Sequence, residues 1–204
     1  MISPQYEAIP SEQRVFEYYQ RIAAGINLPV VVQDHPPSSQ VHMSVGLLLR
    51  LINEIPTVAC LKAEAPPTLS KISALLDGMK QRRVPLLTAL GALYGGFELE
   101  RGASGFNTGF AFPEILRQIV QHANSGQREE AQRLYQRVLP LIVFEQQPGT
   151  AIRKELLRLR GLIAGNRVRH PGATIDRATS DQLRALLQRI LRDVDLTKPV
   201  LLQT

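Results

Sequence analysis

A lysine closes an apolar run in the stretch VACLKAEAPPT, residues 58–68, and an acid and two prolines follow it at once. If residues 57–62 form a strand, side-chain alternation puts Val58, Cys60 and Lys62 on one side and Ala59 and Leu61 on the other. An ammonium at the end of a buried strand is costly to desolvate. A largely apolar setting disfavours the charged form, lowers its pKa and leaves a nucleophilic amine able to form a Schiff base with a carbonyl. The plainer alternative is an ammonium that reaches solvent or pairs with Glu64. The strand alone leaves both open.

Other candidate chemistry is thinner. The four histidines, His35, His42, His122 and His170, lack metal-ligand spacing, so no metal site is expected. Gly91, Gly102, Gly105 and Gly109 do not have the spacing of a dinucleotide-binding fingerprint. Cys60 is the only cysteine, which excludes an internal disulfide framework and a thiolate cluster. A net charge of +6 raises nucleic acid as a partner. Its distribution argues against one, because Arg128, Arg133, Arg137, Arg153, Arg158 and Arg184 lie on helical patterns with interspersed acids, as on solvated helix faces. No apolar run reaches the length of a membrane span, and MISPQYEAIP lacks the basic start and apolar centre of a signal peptide. A cytoplasmic protein with neither nucleic-acid nor membrane partner is the expectation.

The elements that would position Lys62 follow from periodicity. Ser11 precedes a helix carrying Val15, Phe16, Tyr19, Ile22 and Ala23, which Gly25 stops. LPVVVQ, residues 28–33, is a β-branched strand ended by DHPP. Ser44 caps a second helix, residues 57–62 form the next strand, and Thr68 opens a third helix. Strands at 84–88 and 103–108 flank a helix at 93–101, and a stub at 1–3 makes a fifth strand. Helices then occupy 112–124, 128–144, 150–160 and 178–194. Strands alternating with helices predict an α/β fold with a parallel sheet covered on both faces. The spacing suits a (β/α)8 barrel, whose enzymes keep their reacting groups at the C-terminal ends of the strands, where Lys62 would lie. The 204 residues form one domain on this reading, with a helical extension from about residue 125.

The segments around Lys62 resemble the dihydrodipicolinate synthase and N-acetylneuraminate lyase family of Schiff-base aldolases. VACLKAE is similar to the strand that bears the family's lysine. ISPQYEAIPSEQ resembles the segment around the fourth barrel strand, and LPVVVQDHPPS the fifth strand and its turn. LERGASGFNTG resembles the stretch at the eighth strand, and QREEAQRLYQRVLPLI, AIRKELLRLRGLI and VRHPG the C-terminal helices. The resemblance implies a partial TIM barrel, about strands four to eight, followed by C-terminal helices. It implies a lyase or synthase in which Lys62 attacks C2 of pyruvate or another small 2-oxo acid, with aldol cleavage or condensation following. It also implies a homotetramer and chemistry that needs no cofactor. Glu64 would orient Lys62 or bind a substrate hydroxyl, Tyr6 matches a tyrosine that reaches a neighbouring subunit's site, and Gly105 and Asn107 would line the pocket mouth.

Three departures qualify the reaction. Gln33 stands where the family has a proton-relaying tyrosine, and an amide is neither acid nor base near neutral pH. Ser38 stands where the synthase has a carboxylate-binding arginine. That argues against dihydrodipicolinate synthesis as such, while the Gln33-Asp34 pair of the turn and the Lys-x-Glu-x-Pro that begins at Lys62 are more similar to branches acting on 2-keto-3-deoxy sugar acids, including dehydratases. The family's first three strands, with the loop that grips the pyruvate carboxylate, have no counterpart. The sequence therefore predicts a truncated chain, with Met1 as an internal methionine or the whole as an inactive remnant.

Overall fold

The computed structural model describes residues 1–3, 11–192 and 194–203. The chain gathers into two compact units, Met1–Leu90 with Phe97–Asn107, and Gly91–Gly96 with Thr108–Thr204.

The first unit is a parallel sheet of four strands in sequence order, β1 (Val30–Asp34), β2 (Val58–Ala63), β3 (Leu86–Thr88) and β4 (Gly105–Phe106). Ile2 adds an isolated parallel bridge to Val32, in place of the expected fifth strand. Helix α1 (Glu12–Gly25) precedes β1. A single turn α2 (Pro36–Ser39) and helix α3 (Val45–Glu54) separate β1 from β2, α4 (Thr68–Gly78) separates β2 from β3, and α5 (Gly95–Glu100) precedes β4. Ser11 and Ser44 cap α1 and α3 as their positions predict, accepting from the amides of Arg14 and Leu47. The short α2 is the one helix here without a periodic signal. Its prolines occupy the first turn, where a missing N–H costs nothing.

The core forms where α1, α3 and α4 cover one face of the sheet. Val15, Phe16 and Tyr19 of α1, Leu47, Leu48, Leu51 and Ile52 of α3, and Ile72 and Leu75 of α4 pack with Val30, Val32, Val58, Leu61, Ala63 and Leu86. Truncating a leucine such as the fully buried Leu51 to alanine would cost about 2–5 kcal/mol. Arg50 of α3 stacks 3.7 Å over the Phe16 ring, and the Tyr19 hydroxyl donates to the Ile2 carbonyl at 3.0 Å.

One detail corrects simple alternation. The register steps from Val30 opposite Val58 to Val31 opposite Cys60, so Ala59 is an extra, bulged residue. A one-residue insertion reverses the facing of everything beyond it. Cys60 and Lys62 do share a face, whereas Val58, across the bulge, joins Leu61 and Ala63 in the core.

The second unit is helical: α6 (Pro113–Asn124), α7 (Arg128–Phe144), α8 (Thr150–Leu159) and α9 (Arg177–Ile190). Ile115, Leu116 and Ile119 of α6, Leu134, Tyr135 and Val138 of α7, Ile152 and Leu156 of α8, and Leu183 and Leu187 of α9 are among its buried apolar positions. Gly96 lies so close to the Tyr135 ring that a Cβ would stand 2.3 Å from it, and the Tyr135 hydroxyl donates to the Leu93 carbonyl at 2.6 Å. Four arginines of the basic series meet acids: Arg133 with Glu130, Arg153 with Glu145, and Arg158 and Arg184 with Glu155. Arg137 instead donates to the Ile190 carbonyl. Among the described residues, no helix is long and apolar enough to cross a membrane.

Candidate active site

Strand register brings the predicted residues into one row. Ile2 bridges Val32, Gln33 pairs with Lys62, Lys62 with Leu87, and Leu87 with Gly105. Partners in adjacent parallel strands present their side chains to the same face. Ser3, Gln33, Lys62, Leu87 and Gly105 are therefore neighbours across the sheet, near the C-terminal ends of β1, β2 and β3 and on the face opposite the helix-covered core.

Three hydrogen-bonding contacts organise this row. Lys62 Nζ lies 3.0 Å from Glu64 Oε2, with Lys62 8% and Glu64 5% exposed. Gln33 Nε2 donates to the same Glu64 oxygen at 2.6 Å. Ser3 Oγ donates to Gln33 Oε1 at 2.9 Å. A carboxylate only accepts, so the Gln33 amide must turn its NH2 to Glu64 and its oxygen to Ser3. Glu64 is thus held by two donors on one oxygen. Of the two settings the strand left open, Lys62 is buried as one half of an ion pair with Glu64.

A second tier lies behind the row. Asp34, 1% exposed, pairs with Lys71 of α4 at 2.6 Å, and the same ammonium donates to the Met43 carbonyl at 2.6 Å. The Asp34 carbonyl accepts from the Glu64 amide at 3.0 Å, joining the ends of β1 and β2. Burial pushes the Asp34 carboxyl above its ordinary range against the pull of Lys71. Burial likewise raises the Cys60 thiol, which makes it a poor nucleophile.

The remaining predicted residues fall differently. Ser38 sits on α2 with its hydroxyl turned to His35, 2.8 Å from Nδ1 and 3.1 Å from the carbonyl oxygen, so its hydrogen bonds are local rather than to the Lys62 row. Gly105 is buried in β4, and the Asn107 amide donates to the Thr88 carbonyl at 2.8 Å, continuing the ladder. Tyr6 lies outside the described residues. Sequence reasoning missed Ser3, Asp34 and Lys71, whose relevance depends on register and on helix packing. Among the described residues, no three His, Cys, Asp or Glu side chains converge so as to hold a metal ion.

The parallel α/β sheet thus carries a buried lysine–carboxylate pair at its strand ends, and comparison with known proteins gives the family. The model of the Dihydrodipicolinate synthetase family matches residues 1–190. The chain belongs to that family. It is 33% identical over 191 residues to the L-2-keto-3-deoxyarabonate dehydratase of Azospirillum brasilense, covering 88% of this chain and 58% of that protein. It is 28% identical over 152 residues to the 4-hydroxy-tetrahydrodipicolinate synthase of Pelodictyon phaeoclathratiforme, covering 72% and 50%. The crystal structure of dihydrodipicolinate synthase from Rhodopseudomonas palustris superposes with a TM-score of 0.87 at 32% identity, covering 93% of this chain and 65% of that one. The chain spans 58% and 50% of the lengths of these two curated relatives.

Proposed function

We propose that the protein is a lyase of this family that forms a Schiff base between Lys62 and a 2-oxo acid, and that its substrate is a 2-keto-3-deoxy sugar acid from which water is lost. The observation that carries the reading is the Lys62–Glu64 pair, buried at the end of a parallel strand and held by Gln33. On this reading the four strands are later strands of a TIM barrel, the helices from about residue 125 are its C-terminal extension, and the working form is a homo-oligomer.

The steps follow from which groups can move protons. The Lys62 ammonium passes a proton to Glu64, and the free amine attacks C2 of the 2-oxo acid to give a carbinolamine. Its hydroxyl leaves as water, taking a proton back, and the iminium remains. That cation is an electron sink, so a base can remove a proton from C3 to give an enamine. Glu64 is the carboxylate nearest to hand. Expulsion of a hydroxyl from C4 as water completes a dehydration, and hydrolysis of the iminium frees Lys62. The chemistry requires neither metal nor organic cofactor.

Two observations favour dehydration over condensation. Gln33 cannot relay protons to an incoming aldehyde, yet it is well placed to fix Glu64. The 33%-identical relative is itself a dehydratase of a keto-deoxy sugar acid. Aldol cleavage or condensation on pyruvate, which shares the same iminium, is the second reading and is favoured by the synthase relatives.

Product analysis separates them. With a 2-keto-3-deoxy pentonate, dehydration gives one product lighter by a water, whereas cleavage gives pyruvate and an aldehyde. Neither product, from folded protein that also forms no adduct with pyruvate, would overturn both.

A further inference from the structure

A cavity of about 480 Å³ opens in the second unit, between α8, the start of α6 and the segment that leads into α6. That volume suits a small organic molecule. Phe110, Leu157 and Leu162 give it an apolar wall, and Leu162 is left 58% exposed. Its polar side is cationic, because Arg153 and Lys154 line it from adjacent positions of α8.

The guanidinium of Arg153 is seated against Gly109, where a Cβ would stand 2.9 Å from Nη1. A guanidinium carries five donors in a planar fork. Arg153 uses Nε on Glu145 at 3.3 Å, and its Nη1 and Nη2 donate to nothing among the described residues. Lys154 gives its ammonium to the Arg167 carbonyl and meets no carboxylate among the described residues. Arg160 and Glu114 also line the cavity, but they pair with each other. Arg160 donates as well to the Ala111 and Leu196 carbonyls and stacks 4.6 Å over the Phe112 ring, so its donors are committed to the fold.

We propose that this cavity binds a small organic carboxylate with a compact apolar body, the carboxylate taken by the terminal nitrogens of Arg153 with Lys154 beside them, and the body lying against Phe110, Leu157 and Leu162. The end of a guanidinium donates two parallel bonds to a carboxylate, whereas an ammonium adds charge without fixing direction. Glu114 and Glu145 are paired with the arginines of the same wall and disfavour a more highly charged ligand such as phosphate. The proposal does not depend on the chemistry at Lys62.

Sharing Arg153 couples the ligand to a proton. The charged groups around Arg153 are Lys154 and Arg160 on and just beyond α8, Glu114 on α6 and Glu145 at the end of α7. Burial pushes the Glu145 carboxyl up to about 7. A second carboxylate on Arg153 repels the ionised form of Glu145, so the ligand favours the protonated one, and by reciprocity protonation favours the ligand. Affinity is therefore highest below about pH 7 and falls as Glu145 ionises.

Titration calorimetry of the full chain with 3-methylbutanoate tests this, with 3-methylbutanamide as the uncharged control and acetate as the control without a body. Saturable binding of 3-methylbutanoate at about pH 6 is expected, with both controls at least roughly tenfold weaker. Arg153→Lys, which keeps the charge and removes the fork, is expected to weaken binding roughly tenfold, the effect of one hydrogen bond to a charged group. No saturable binding, equal binding of either control, or unchanged affinity in folded Arg153→Lys overturns the proposal. Should Arg153→Lys not fold, Lys154→Gln carries the test: it is expected to weaken the acid and leave the amide control unchanged, and an unchanged affinity for the acid overturns the proposal. From about pH 6 to about pH 8 the wild-type affinity is expected to fall roughly fivefold, for about one pK unit of coupling, and to stay level in Glu145→Gln. A wild-type affinity that does not change with pH overturns the placement of the carboxylate on Arg153.

Discussion

Gln33 Nε2 donates to Glu64 Oε2 at 2.6 Å, the same carboxylate oxygen that Lys62 Nζ approaches at 3.0 Å. The amide thus occupies the space between two strand ends and fixes one oxygen of the acid, leaving the other for chemistry. Removing that donor in Gln33→Ala is expected to slow adduct formation at Lys62 by roughly ten- to a hundredfold, the range of a hydrogen bond to a charged group. Stability should change little, because Gln33 is only half-buried. Trapping rates and melting curves measured together check this, and an unchanged rate would mean that Glu64 needs no holding.

Arg82 holds the end of α3 and the entry to β2 together. Its Nη1 donates to the carbonyls of Ile52 at 2.6 Å and Ile55 at 3.0 Å, and its Nη2 donates to those of Pro56 and Val58. Ile52 and Ile55 lie where a helix leaves its last carbonyls without partners. Arg82→Ala is expected to lower the stability of the first unit by about 2 kcal/mol, and Arg82→Lys to recover less than half, since an ammonium cannot span two pairs of acceptors. Urea unfolding checks the first figure. Faster amide exchange at Val58, which donates to the Ile55 carbonyl, checks that the loss is local.

Glu145 gives the second unit a pH dependence. It is buried at the end of α7, accepting from the Ala111 amide at 3.0 Å and from Arg153 Nε at 3.3 Å. Burial outweighs these donors and pushes its carboxyl from an ordinary 4.5 up to about 7. A carboxyl that binds its proton more tightly when folded contributes fully below its unfolded value and loses that contribution as pH rises through the folded one. Melting temperature is therefore expected to fall between about pH 4.5 and 7, and Glu145→Gln to make that fall shallower. Parallel curves for the two proteins would contradict it.

Much of the scaffold was legible because its signals are local. Ser11 and Ser44 cap the helices their positions announce, and the strands expected at 28–33 and 57–62 are the neighbouring parallel strands β1 and β2. The alternation argument held from Cys60 to Lys62 and failed at Val58, since a bulge is set by pairing with β1 and leaves no mark on β2 itself. The turn α2 was invisible because four residues are too few for periodicity. The site was legible in part. Lys62 and Glu64 lie two residues apart in sequence, at and just beyond the end of β2, and Gln33 was reached through resemblance. Asp34 and Lys71 are joined across elements more than 30 residues apart, which no local pattern encodes. Ser38 kept its hydroxyl for His35 because a turn residue bonds its own backbone most readily.

The claim on which the others depend is that Lys62 is the nucleophile. Reduction with borohydride in the presence of pyruvate, followed by proteolysis and mass spectrometry, reads this directly. The expected result is a single reduced adduct on the peptide bearing Lys62, absent from folded Lys62→Ala. Folded wild-type protein with no adduct, or with the adduct on another lysine, contradicts it.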